Sequence, residues 1–414
     1  MRIWLLTAAI WLTYSLASGD WLQWRGPTGD NHAPSAQSTP RASWSTEEGF
    51  LWKVAVPGRG HSSPIVVGDR IYLTTCDEQA KTRSLLVFDR TTGELLASPI
   101  AHHGGLAKTI HAHNTYASST PASDGERVYA MFDYENSVWI TCYDLQGGQL
   151  WQRRVAAFDP TVMVFGLGSS PILHEGLLIL ATEYDGDESG IYAIDKLTGD
   201  PVWSTPRQRS LSNSTPIVAT LGGRPQILLS GGSHLTAYNP ANGDELWRTG
   251  GSPVATCGTV VWDESLALVF ASGGFPEAMT WAVEVGGEHR MLWHNPVRCY
   301  EQSILAVKGY VYAVADSGVA YCWRATDGER MWVKRLGGKY SSSPLLVGER
   351  IYVSNEAGTT FVLAASPEEF QLLGQVQLGD EVFATPASVD GKLYYRYADS
   401  SSGQRQEYLM AVGE

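Results

Sequence analysis

Four histidines crowd one short stretch, IAHHGGLAKTIHAHNTY from Ile100 to Tyr116: His102, His103, His111 and His113. Neutral imidazole is a common ligand for zinc or copper, so this loop is a candidate metal site. His111 and His113 aim their rings one way only if that piece is extended. No carboxylate or cysteine accompanies them within the loop. The competing reading is a polar loop whose rings hydrogen-bond locally. A second candidate is YDGDESG, Tyr184 to Gly190, where Asp185, Asp187 and Ser189 alternate as in the first half of a calcium loop. Lys196 stands where the distal glutamate belongs, and an acidic hairpin loop is the competing reading.

Nucleophilic chemistry has no comparable pattern. The chain contains no GxSxG elbow, no HExxH and no phosphate-binding loop. Its five cysteines, Cys76, Cys142, Cys257, Cys299 and Cys322, are odd in number, so the chain is not a disulfide scaffold. None has CxxC spacing, and Cys142 and Cys322 fall in strand patterns as small buried hydrophobes. Net charge is −13 and the pI near 5.2, the wrong sign for a surface that tracks phosphates, so no nucleic-acid partner is expected.

The elements that must position these residues are written in repeats. The phrase Ala193-x-Asp195-x-x-Thr198-Gly199-x-x-x-Trp203 is the clearest copy. Ala237-x-Asn239 with Gly243 and Trp247 matches it. Cys322-x-Arg324 with Gly328 and Trp332 keeps the spacing, Cys142-x-Asp144 with Gly147 and Trp151 is one residue shorter, and Ala282-x-Glu284 with Trp293 is one longer. Val87-x-Asp89 with Gly93 has Ala97 in place of the tryptophan. Alternating residues before Asp or Asn form a half-buried strand, and Asp or Asn caps a turn. Gly199 or Gly243 takes the positive φ, and the tryptophan lands in the next strand as a flat anchor between blades.

A second phrase alternates with the first: SSPIVVGDRIYL from Ser62, STPASDGERVYA from Ser119, SSPILHEGLLIL from Ser169, STPIVATLGG from Ser214, SSPLLVGERIYV from Ser342 and ATPASVDGKLYY from Ala384. Degenerate copies begin at Cys257 and Glu301. The pattern predicts an all-β, eight-bladed β-propeller of four-stranded antiparallel blades, or seven blades if one degenerate copy is not a blade. The last unit lacks a fourth strand, and the segment Phe50–Val56 is expected to supply it and close the ring. Residues 50–414 are then the propeller and 20–49 an N-terminal segment. The run Ile3–Leu16 after Arg2, with Ala17-Ser18-Gly19 following, predicts a signal peptide over 1–19. An exported protein, periplasmic, cell-surface or secreted, follows from it, with no membrane span after cleavage and a monomeric state expected.

The repeated Ala-x-Asp-x-x-x-Gly-x-x-x-Trp phrase resembles the tryptophan-docking repeat of the PQQ-like β-propeller family. Quinoprotein alcohol dehydrogenases and the outer-membrane-protein assembly propeller lipoprotein belong to that family. Trp21-x-x-Trp24-Arg25-Gly26-Pro27 resembles a segment found ahead of such propellers in exported bacterial proteins. The resemblance covers about residues 21–414 and implies a fold more than a function. Quinoprotein dehydrogenases carry a vicinal Cys–Cys disulfide beside the quinone, and no two cysteines are adjacent here. PQQ is therefore not expected.

In a propeller of this order, the loops before the inner strands and the mid-blade loops share one face, where function is expected. Arg59, His61, Tyr116, Asn213, Arg298, Tyr300, Glu301, Lys339, Tyr340, Glu381 and Phe383 precede inner strands and are candidates for the channel mouth. Glu301 and Glu381 would be an acid pair only if close together. The apolar insertion Ala156–Gly168 reads as packing over its blade or as a contact loop. The leading expectation is a non-catalytic scaffold that binds a protein, peptide or carbohydrate of the cell envelope. An oxidoreductase or hydrolase using the mouth, or a subunit of an envelope assembly complex, are the alternatives.

Overall fold

The computed structural model describes residues 19–33, 39–44 and 49–413; the signal peptide expected over residues 1–19 lies outside them, save Gly19. Eight four-stranded antiparallel blades succeed one another along the chain, two of them extended by a fifth short strand (Ile100–His103 and His32–Ala33), settling the number of blades at eight. Blade 1 runs from Ile65 to Ala97, blade 2 from Ala122 to Ala157, blade 3 from Ile172 to Pro206 and blade 4 from Ile217 to Gly250. Blade 5 spans Val261–Asn295, blade 6 Leu305–Arg335 and blade 7 Leu345–Gln377. Blade 8 combines Ala387–Val389, Lys392–Asp399 and Gln406–Val412 with Trp52–Val56, which pairs antiparallel to Gln406–Val412. The ring is thus sealed by strands from opposite ends of the sequence.

Alternation along each strand sends apolar side chains to both faces of the blade, and adjacent blades share them. The core is accordingly divided into slabs between blades. One slab joins Ala122, Tyr129 and Ile140 of blade 2 to Leu178 and Leu180 of blade 3. Another joins Leu228 and Leu235 of blade 4 to Val269 and Trp281 of blade 5.

The repeated phrases have visible physical jobs. Trp203 of blade 3 lies over Gly243 of blade 4, and its indole N–H donates to the Pro240 carbonyl at 3.0 Å. Trp151 covers Gly199. Trp293 covers Gly328 and donates to Ala325 at 2.8 Å. Trp52 covers Gly93 and donates to Arg90 at 3.1 Å. Trp332 donates to Ser366 at 2.9 Å. Trp247 departs from this: its N–H goes to Gln226 Oε1 at 2.8 Å within its own blade, and its ring stacks on His289. A Cβ on Gly93 would sit 2.6 Å from the Trp52 ring, so glycine serves there for space as well as for its φ of +76°.

The Ser/Thr ahead of each inner strand forms a belt. Ser63 N donates to Thr120 Oγ1, Thr120 N to Ser170 Oγ and Ser170 N to Thr215 Oγ1, at 2.9–3.0 Å. Thr259 N donates to Ser303 Oγ, Ser303 N to Ser343 Oγ, Ser343 N to Thr385 Oγ1 and Thr385 N back to Ser63 Oγ. Every one of these hydroxyls except that of Thr259, which accepts from Trp24, satisfies a buried backbone donor of the preceding blade.

The N-terminal segment threads the central channel. Asp20 accepts from Gly68 N and Trp21 bridges Val66, both in blade 1. Leu22 O accepts from Ser123 N of blade 2, and Gln23 Oε1 from Leu173 N of blade 3. Gly29 lies against Ile217 of blade 4. Trp24 Nε1 donates to Thr259 Oγ1 ahead of blade 5, at 2.9 Å. Buried Arg25 donates to the carbonyls of Gly29, Asp30 and, in blade 6, Ile304. Asn31 Nδ2 donates to Pro344 O, and His32–Ala33 pairs parallel with the inner strand of blade 7. Gly19 lies against Asp390 of blade 8. One short segment therefore touches all eight blades.

Candidate functional site

The belt and the plug together shape a cavity of about 170 Å³ at the channel mouth. Trp24 sits at its base, beside Thr259 of the belt. His61 and Phe383 form one wall, their rings stacked at 4.2 Å. His111, His113 and Phe165 approach from the loops around blade 2, with His111 and His113 5.4 Å apart. Asn114, Asn213, Tyr300 and Glu301 add polar groups.

Each side chain is held by its own backbone context. Asn114 Nδ2 donates to Phe165 O at 2.7 Å, tying the histidine loop to the apolar insertion. Asn213 Oδ1 accepts from Gly168 N at 3.0 Å, anchoring the other end of that insertion. Tyr300 N donates to Asp316 Oδ1, fixing the approach to blade 6. His61 is kept neutral: burial, then the charges of Arg59, Arg396 and Arg405, hold its pKa well below the usual value. Among the described residues, its Nε2 is buried without a hydrogen-bond partner. Burial raises Glu301. Burial also pushes the Cys257 thiol up to about 12, which leaves this lining residue a protonated, unreactive group at neutral pH.

Seven residues that the sequence suggested line this cavity: His61, His111, His113, Asn213, Tyr300, Glu301 and Phe383. The others have different placements. Arg298 pairs with Asp316 at 2.7 Å. Arg59 bridges Cys76 through its backbone, and Tyr116 donates its hydroxyl to Ala107 O. Lys339 is exposed off the cavity, while Tyr340 is buried in the slab between blades 6 and 7. Glu381 pairs with Arg405, so the carboxylate found beside Glu301 is Glu356 instead.

The four histidines are not gathered into one site. His102 and His103 lie on Ile100–His103, a strand that pairs with Thr82–Ser84 and sends them to opposite faces. His102 is buried against Tyr134 and Trp139, and burial lowers its pKa to about 4. Nor do Asp185 and Asp187 converge. Asp185 accepts from the backbone N–H groups of Thr161 and Val162, capping the apolar insertion, and Asp187 pairs with Arg209.

Sequence reasoning missed Trp24, Asn114, Glu356 and the belt. Glu356 sits in the mid-blade loop of blade 7, on the face expected to carry function; reading mid-blade loops as well as inner-strand approaches would have found it. A quinone carrying three carboxylates needs cationic partners, and no lysine or arginine is among the residues that line the cavity. The five cysteines are free, so no disulfide lies beside it. These residues do not fit PQQ.

Comparisons with known proteins agree with this geometry at the level of fold. No curated protein matches the sequence. BamB from Moraxella catarrhalis superposes with a TM-score of 0.62 at 12% identity, over 88% of this chain and 97% of that one. A europium-containing methanol dehydrogenase superposes with a TM-score of 0.56 at 11% identity, over 96% and 98%. The computationally designed Ika8 protein gives 0.59 at 13% identity, over 87% and 99%. The sequence profile of a family described as "Outer membrane protein assembly factor BamB" matches residues 18–163, 118–306 and 254–369. With eight four-stranded blades and a profile match spanning most of its length, this chain belongs to the PQQ-like β-propeller family of which that profile is part.

Proposed function

We propose that this chain is an exported scaffold that binds a protein partner of the cell envelope through the mouth of its channel. The observation that carries this reading is the cavity itself. It is open on the loop-decorated face, based on Trp24, and lined by both aromatic and polar groups. Beside it stands the apolar insertion, which leaves Val162 76% exposed at its tip. Exposed apolar surface next to a polar pocket is the composition of a recognition patch. The profile match to an assembly factor supports a protein as the occupant. The opposite face carries the regular turns around Gly199 and Gly243.

The test places a photo-crosslinking residue at Val162 and, as control, at Leu197 on the opposite face, in the producing cell. A discrete adduct from Val162 alone, weakened by Phe383→Ala, is the expected result. Adducts from both positions, or from neither, would overturn the reading. Export is checked by N-terminal sequencing of protein from outside the cytoplasm, which should begin near Asp20.

One observation favours a metal-dependent enzyme as second reading: His113, Glu301 and Glu356 stand together at the same mouth. Turnover of ester, peptide or alcohol substrates by metal-loaded protein, abolished by Glu301→Gln, would support it.

A further inference from the structure

Three residues distant in sequence converge on one side of the cavity. His113 belongs to the loop ahead of blade 2, Glu301 to the approach to blade 6, and Glu356 to the mid-blade loop of blade 7. One ligand atom from each lies within 4.8 Å of the other two. His113 Nδ1 is already 3.5 Å from Glu301 Oε1. Two ligands on a tetrahedral zinc ion, with bonds near 2.1 Å, stand about 3.4 Å apart. Ser341 donates to Glu356 Oε1 at 2.9 Å and fixes that carboxylate. Among the described residues, neither carboxylate has a lysine or arginine within 4.0 Å, and the nearest basic side chain is His113 itself. Two neighbouring carboxylates without a lysine or arginine repel one another unless a cation or proton is shared between them.

An independent observation lies on the same cavity. The His61 ring is fixed by stacking on Phe383 and lies beside the His113 backbone, and its Nε2 is buried with no hydrogen-bond partner of normal geometry among the described residues. An unpaired buried polar atom on a cavity wall calls for a ligand or an ordered water.

We propose that His113, Glu301 and Glu356 form a zinc-type divalent cation site at the channel mouth. One imidazole and two carboxylates make three protein ligands and leave a fourth position open to the cavity, where a carboxylate or imidazole of a bound molecule can complete the shell. Calcium is disfavoured, because it takes six to eight oxygen ligands and has no use for the ring nitrogen. The site shares its location with the proposed partner surface but does not depend on it, since the ligands all belong to this chain.

The test is a calorimetric titration of the purified, chelator-stripped chain with zinc chloride. Cobalt(II) absorption serves as a second readout of tetrahedral geometry. One saturable equivalent of zinc is expected, with intense visible cobalt bands. Glu356→Gln and His113→Gln should each weaken zinc binding roughly tenfold or more and remove the bands. His103→Gln, an exposed histidine off the cavity, should change neither. Thermal melts establish that every variant is folded. Folded protein that binds no stoichiometric zinc would overturn the proposal, as would binding that survives Glu356→Gln and His113→Gln. Preferential calcium binding lost in the same variants would overturn the zinc assignment. Crosslinking from Val162, repeated in a Glu356→Gln background, reports separately on the partner surface: the adduct can persist when the metal site is gone.

Discussion

Single histidines in this chain have opposite fates because burial decides their chemistry. His103 faces water, whereas His102, one residue away, is enclosed by Tyr134 and Trp139 with a pKa lowered from 6.5 to about 4. The unfolded chain therefore binds a proton at this site that the folded chain refuses. Stability from His102 is complete above about 6.5 and is lost as pH falls from there toward 4. Melting temperatures recorded between pH 7.5 and 4.5 should fall less steeply for His102→Gln than for the parent. Equal slopes would mean the ring is not the buried neutral group described. His102 also shows why the site was only partly legible in the sequence. Histidine spacing announced ligands, but strand alternation, which sends neighbours to opposite faces, separated two of the four. Likewise Tyr340 and Lys339 stood together in sequence, yet one turned into the slab and the other into solvent.

At the scale of the element, the repeated turn was legible because each of its parts has a separate physical task. Asp195 accepts from the N–H groups of Leu197 and Thr198, Gly199 adopts positive φ, and Trp203 reaches the next blade. Trp203→Ala should destabilise by about 3 kcal/mol, the scale of large aromatic deletions from a packed site. Trp203→Phe should cost less, keeping contact with Gly243 but losing the hydrogen bond to Pro240. Chemical denaturation of both variants checks the order; equal losses would assign the effect to the hydrogen bond alone. The Ser/Thr belt was not legible as such. Its residues stood in plain view in every SSP or STP phrase, but a hydroxyl that serves the neighbouring blade leaves no trace in local periodicity.

Over the whole molecule, eight units predicted eight blades, because a four-stranded sheet of this size buries its faces only against copies of itself. The course of residues 19–33 was outside that logic: a segment without periodicity carries no signal for where it will lie. Its weight in the fold can be measured. Arg25→Ala leaves the carbonyls of Gly29, Asp30 and Ile304 without their donor, at about 1 kcal/mol each. A melting temperature unchanged by this substitution would show that the plug is an ornament of the channel. Val54→Pro attacks the seal of blade 8, where Val54 is paired with Leu409, and should cost about 1 kcal/mol, the scale of a lost ladder hydrogen bond, and expose the ring to limited proteolysis.

The channel plug and the closing strand also order events in time. Residues 19–33 and Trp52–Val56 leave the ribosome before any blade, yet their partners include Pro344, Asp390 and Leu409, which leave hundreds of residues later. The contacts of Trp21 with blade 1 need only early sequence, but Trp52–Val56 must wait for Gln406–Val412 before it can pair. The ring is therefore sealed only after the strands of all eight blades have been made.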